Sequence, residues 1–151
     1  MKLVYDGLDE FPDGSHKLKL FNDAGQQIFV CEARNDSVGD NAWRPDAGCP
    51  PGTYDLGAPE FNNVNVPSTP DNDWIGEGEI FIPVNDVPGH SGIGIHGGGT
   101  CVTFNSDQDA LLARQGWCPT LNCFRLQNED LEELARLLPA GGATFVVRQS
   151  V

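Results

Sequence analysis

The chain has 151 residues, of which 9 are basic and 22 acidic, for a formal net charge of −13. That length fits one domain, residues 1–151, with a core that needs no metal or disulfide staple. The charge excludes a nucleic-acid binder, which works through basic contacts to phosphate, and a docking module for anionic membranes.

At the N-terminus, Met1–Gly7 meets acid and glycine before an apolar signal region can form. No window approaches the ~20 apolar residues of a membrane helix. The expected location is therefore the cytoplasm, or a compartment reached by export without an N-terminal signal. Gly and Pro number 18 and 11, which suits short strands joined by turns. Leu18–Phe21 and Gln27–Cys31 flank the turn signal Asn22-Asp23-Ala24-Gly25, so residues 17–31 read as a hairpin. Arg44–Gly52 is a Pro- and Gly-rich loop, followed by a strand at Thr53–Leu56. Residues 57–78 read as a long surface loop. Strands are expected at Glu79–Val84 and at Gly92–His96. A helix capped at Ser106 runs toward Gly116. A second helix opens at Asn128 as its cap, with Glu129 and Asp130 at its positive end and Leu131, Leu134, Leu137 and Leu138 on one face. Thr144–Val147 closes the chain as a strand. The fold class is mainly β with one or two short helices.

Five cysteines stand at 31, 49, 101, 118 and 123, and the odd count leaves at least one thiol unpaired. No Cys-x-x-Cys occurs and only His16, His90 and His96 are present, so no metal site is expected. Cys101 with Cys118 is a conceivable bridge. His16 reads as a surface residue and His90 as a solvated turn residue. Trp43, Trp74 and Trp117 read as core or rim packing, and the acidic clusters at 9–13, 71–79 and 129–133 as solvated faces.

The stretch 93–126 carries the chemistry. A thiol becomes a nucleophile as thiolate, which calls for a base or a cation close by. His96 supplies a base whose ordinary pKa lies near neutrality. Arg125 stands two positions after Cys123, and on an extended backbone both side chains share a face. There it can stabilise a thiolate or grip a carboxylate through a forked contact. Gly97, Gly98 and Gly99 let the backbone approach a ligand. Backbone N–H groups around Cys123 are candidate oxyanion donors.

Ile95-His96-Gly97-Gly98-Gly99, Gln115-Gly116-Trp117, Thr120-x-x-Cys123-x-Arg125-Leu126 and Asn128-x-Asp130-Leu131 together resemble the active-site run of the L,D-transpeptidase catalytic domain, the YkuD-like family. Pro50-Pro51-Gly52-Thr53-Tyr54 resembles that family's strand entry, and Asp23-Ala24-Gly25 its first hairpin turn. The resemblance implies a mixed β-sandwich with a capping helix, no metal and no cofactor. It implies Cys123 as nucleophile, His96 as base, and Asn122, Arg125, Gly97 and Thr120 as oxyanion or substrate-binding positions. Two residues depart from the pattern. Asn122 replaces the family's glycine before the nucleophile, and Leu121 replaces a histidine common two positions before it.

Two functions follow. The first is a cysteine acyltransferase or peptidase on peptidoglycan stem peptides, acting in the periplasm or wall. Its delivery would be as a secreted antibacterial effector, with secretion machinery or an immunity protein as partner, or as a phage wall enzyme. The second is a non-catalytic wall-binding or interaction domain that retains the scaffold. Asn122 favours the second; His96, Cys123 and Arg125 together favour the first.

Overall fold

The computed structural model describes residues 1–35, 49–61, 80–97 and 123–148. Nine strands and one helix lie in them: β1 (Lys2–Glu10), β2 (His16–Phe21), β3 (Gln27–Arg34), β4 (Gly52–Leu56), β5 (Glu60–Phe61), β6 (Ile80–Asn85), β7 (Gly94–His96), β8 (Phe124–Leu126), α1 (Asn128–Leu137) and β9 (Thr144–Arg148). The expected hairpin is present as β2–β3. Its turn is built as the sequence suggests: Asn22 Oδ1 accepts the Gln26 N–H at 2.9 Å, and Gly25 takes a positive φ of 80°. β1 was not anticipated. Its residues are buried in succession at Leu3, Val4 and Tyr5, without the polar alternation that announces a half-exposed strand. The reason is its place between β2, antiparallel, and β9, parallel.

The strands form one sheet in the order β4-β9-β1-β2-β3-β8-β7-β6-β5, and β4 also pairs with β6. That last pairing, Leu56 opposite Val84 and Asp55 opposite Asn85, closes the sheet into a barrel-like ring. The two sandwich faces expected from the sequence are thus continuous with each other. Both parallel contacts, β1–β9 and β7–β8, lie in this otherwise antiparallel ring, which makes the sheet mixed.

Inside it pack Leu3, Leu18, Leu20, Ile82, Ile95, Phe124, Leu126 and Phe145, all essentially inaccessible to solvent. Phe124 stands at the centre, with Tyr5 and Phe145 each edge-on to it at 4.9 Å between ring centroids. Such pairs add about 1 kcal/mol each beyond the area they bury. α1 follows β8 after a single residue and buries Leu131, Leu134 and Ala135. Acidic Glu129 and Asp130 occupy its first turn and Arg136 its last, matching the helix dipole. The helix cap differs from expectation. Gln127 holds the cap position, without a side-chain cap bond, and Asn128 is the first helical residue. The side-chain oxygen of Asn128 instead lies over Gly97. His16 also departs from expectation: it is half-buried, its ring edge-on to Tyr5 at 5.5 Å. The acidic residue Asp9 is not merely solvated, since Lys17 and Lys19 each reach it at 2.8 Å.

Ring closure sets a test. Gly142 has a φ of 85°, and a Cβ there would strike the Leu56 carbonyl oxygen, which is backbone of β4 and cannot swing aside. Gly25 has a similar φ of 80° but open space around it. Gly25→Ala should cost about 1 kcal/mol, the strain of a left-handed alanine. Gly142→Ala should cost about 2–4 kcal/mol, because overpacking adds to that strain. Urea unfolding of the two variants side by side reads the difference; equal losses would mean that β4 yields freely at the closure.

Candidate active site

β7 and β8 run parallel, with Ile95 opposite Phe124 and His96 opposite Arg125. Side chains of paired residues share a face and successive residues alternate. Ile95 and Phe124 point into the core, so His96 and Arg125 stand together on the other side. Cys123, two positions before Arg125, adjoins β8 at its start. All three residues are buried, at 4 % exposure for His96, 3 % for Arg125 and 7 % for Cys123.

His96 is held on two sides. Its Nδ1 lies 2.7 Å from the Gly97 carbonyl oxygen. A carbonyl only accepts, so Nδ1 carries the proton and Nε2 is left with a free lone pair. The Phe81 ring stacks on the imidazole, 21° from parallel with centroids 6.4 Å apart. Phe81 is the cross-strand partner of His96, and its ring occupies the space that a Cβ on Gly94 would need. Gly94 is therefore what lets the ring lie flat across β7. Gly97 serves a similar end, since a Cβ there would collide with the Asn128 side-chain oxygen. Burial, followed by the neighbouring Arg125 cation, pushes the His96 pKa from 6.5 down to about 4, against a smaller upward pull from the Gly97 carbonyl. The imidazole is thus neutral at physiological pH and able to take a proton at Nε2.

Cys123 Sγ lies 3.6 Å from the Gly92 carbonyl oxygen, a weak contact suited to the thiol form. Gly92 ends the turn that leads into β7 and has a φ of 71°. The turn that delivers the histidine thus also meets the thiol. Behind Cys123, Phe124 is locked between two aromatic rings, which anchors the backbone on that side. In front, the Asn35 amide donates to the Cys123 carbonyl oxygen at 2.9 Å. Arg125 supplies a permanent positive charge on the shared face, favourable to a thiolate or a carboxylate.

Of the residues singled out in the sequence, His96 and Arg125 are paired across β7 and β8, Gly97 follows His96, and Cys123 directly precedes β8. Thr120, Asn122, Gly98 and Gly99 lie outside the described residues. So do the capped helix at 106–115, the Cys101–Cys118 pair and all three tryptophans. Sequence reasoning missed Phe81, Gly92 and Asn35, and took Asn128 as a helix cap and motif residue rather than as a neighbour of Gly97. Phe81 carried a faint signal, as an aromatic in a strand opposite the histidine strand. Asn35 carried none, because it meets Cys123 across 88 positions of chain.

The model of the YkuD family, the L,D-transpeptidase catalytic domain, matches residues 14–147. The chain belongs to this family. Among solved structures it is similar to the helical cell shape determining protein Pgp2 from Campylobacter jejuni, with 19% identity and a TM-score of 0.58, covering 99% of this chain and 48% of that one. It is also similar to Bd1075 of Bdellovibrio bacteriovorus, with 15% identity and a TM-score of 0.57, covering 99% of this chain and 47% of that one. These likenesses bear on the fold, and the chain spans about half the length of both structures. No curated protein matches it.

The buried neutral imidazole gives a pH test. The unfolded chain takes up a proton on this histidine near pH 6.5, whereas the folded protein does so only near pH 4. Between those values the unfolded state binds more protons, so folding stability falls as pH drops from about 6.5 toward 4. The full shift corresponds to on the order of 3 kcal/mol. Urea unfolding across this range should show a steeper loss in the wild type than in His96→Gln. Nitrogen-15 NMR of the ring should find Nδ1 protonated at neutral pH; an Nε2–H tautomer would refute the assignment.

Proposed function

We propose that this chain is a cysteine-dependent acyl-transfer enzyme acting on peptidoglycan stem peptides, as an L,D-transpeptidase or an L,D-carboxypeptidase. The observation that carries the reading is the parallel register of β7 and β8. It sets a neutral His96 with a free Nε2 on the same face as Arg125, at the strand that Cys123 begins. Family membership supplies the substrate class.

In this reading His96 Nε2 takes the Sγ proton of Cys123, and the thiolate attacks the carbonyl of the third stem residue. Backbone N–H groups at Asn122 and Cys123 hold the oxyanion, and Thr120 contacts substrate or base. His96 returns its proton to the nitrogen of the departing terminal D-residue, leaving a thioester on Cys123. An amine from a second stem resolves the thioester to a cross-link; water resolves it to a trimmed peptide. Arg125 keeps charge balance as sulfur becomes anionic and then neutral again. None of these steps calls on a metal or cofactor. The reaction belongs outside the cytoplasm, where the substrate lies.

The test is mass spectrometry of stem tetrapeptides and intact sacculi after incubation with reduced protein. The wild type should release the terminal D-residue or form new cross-linked dimers. Cys123→Ala should abolish both, and His96→Gln should lower the rate by about 10²–10⁴-fold, the usual contribution of a general base. If wild type and Cys123→Ala alike leave every substrate unchanged while both sediment with sacculi, the chain is a wall-binding domain.

A further inference from the structure

Asn35 follows β3 directly and is only 9 % exposed. Both ends of its amide are used. Nδ2 donates to the Cys123 carbonyl oxygen at 2.9 Å, and Oδ1 accepts the backbone N–H of Cys49 at 2.6 Å. One side chain thus ties together three segments: the end of β3, the approach to β4 and the residue that opens β8. A buried amide is costly unless paired, and both of these bonds go to main chain outside its own strand.

Its position in the ladder gives it a task. Among the described residues, β3 and β8 pair antiparallel through Ala33 with Leu126 and Arg34 with Arg125. Beyond Arg34 the side chain of Asn35 takes over as donor, and it reaches the carbonyl of the candidate nucleophile itself. The backbone at Cys123 is then held by the Asn35 amide on one side and by the clamped Phe124 ring on the next residue. With its main chain held at two successive residues, Cys123 has few directions in which to aim Sγ.

We propose that Asn35 is a positioning residue for Cys123, whose amide fixes the main chain that carries the thiol and so sets the direction of Sγ. This rests on Cys123 being the nucleophile. The same amide holds Cys49, a second buried thiol coupled electrostatically to Cys123. Burial pushes the Cys49 pKa up to about 11, so that thiol stays protonated at neutral pH and does not compete as a nucleophile.

Alkylation by iodoacetamide, resolved peptide by peptide and followed from about pH 6 to about pH 10 across the thiol range, tests this without any wall substrate. Cys31, buried and touched by neither printed bond of the Asn35 amide, serves as the internal control. Asn35→Asp keeps an acceptor for the Cys49 N–H but turns a carboxylate toward the Cys123 carbonyl. It should slow Cys123 alkylation about tenfold or more. It should also raise the pH midpoint of that reaction, because a nearby negative charge disfavours the thiolate. Asn35→Ala should slow the reaction without that rise, and in both variants Cys31 should remain protected. On a stem tetrapeptide, kcat should fall with KM unchanged. The proposal is overturned if Asn35→Asp alkylates Cys123 at the wild-type rate at every pH. It is overturned equally if Cys31, Cys49 and Cys123 become reactive together in both variants, which would make Asn35 a general structural brace. Should stem peptides prove not to be substrates, the alkylation series still decides the role of Asn35, so the two readings fail separately.

Discussion

The parallel pairing of β7 with β8 is the contact on which the site depends. Each strand is three residues long, too short to persist alone. Their pairing survives because each is flanked: β7 by β6 through Ile82 and Ile95, β8 by β3 through Ala33 and Leu126. The anchoring residues Ile95 and Phe124 face the core, and that orientation leaves His96 and Arg125 no choice of face. A slip of one residue would turn an arginine among the core aromatic rings and carry a phenylalanine to the polar face. The energy of the core therefore guards the geometry of the chemistry.

Electrostatics on that face follow from burial. The imidazole sits beside an arginine that cannot lose its charge, and neither is open to water. The cheapest state is a neutral histidine next to a cation, which is what a base awaiting a proton requires. Two other thiols in the molecule meet the opposite fate. Cys31 lies in the core near Asp130, Glu32 and Glu133, where burial and those charges drive its pKa well up. Cys49 is silenced mainly by burial.

Much of this was legible in the chain itself. The β2–β3 hairpin, β4, β6, β7, the last helix and β9 all announced themselves by alternation, by Asn-x-x-Gly turn chemistry or by leucines at helical spacing. Cys123, His96 and Arg125 stood out because their residue types suit one reaction and their motif resembles one family. What could not be read had a common cause. β1 is buried on both faces, so its pattern lacks the polar partners that mark a strand. Asn128 looks like a cap in isolation, and only the fold reveals that its side-chain oxygen lies over Gly97. Asn35 gains its meaning from a residue 88 positions away, and local pattern carries no trace of such a contact.

The place of β9 has a consequence for how the molecule comes into being. It lies between β1 and β4, so both of these strands are hydrogen-bonded to one made much later. Until residues 144–148 have left the ribosome, β1 and β4 each present an open edge, and Phe145 is missing from beside Phe124. Open edges of this kind invite pairing with other chains. Contacts between strands far apart in sequence are also slow to form, because loop closure must be met before they can contribute. A nascent chain is thus open to aggregation until β9 has been made, and that strand acts as the latch that turns an open sheet into a ring.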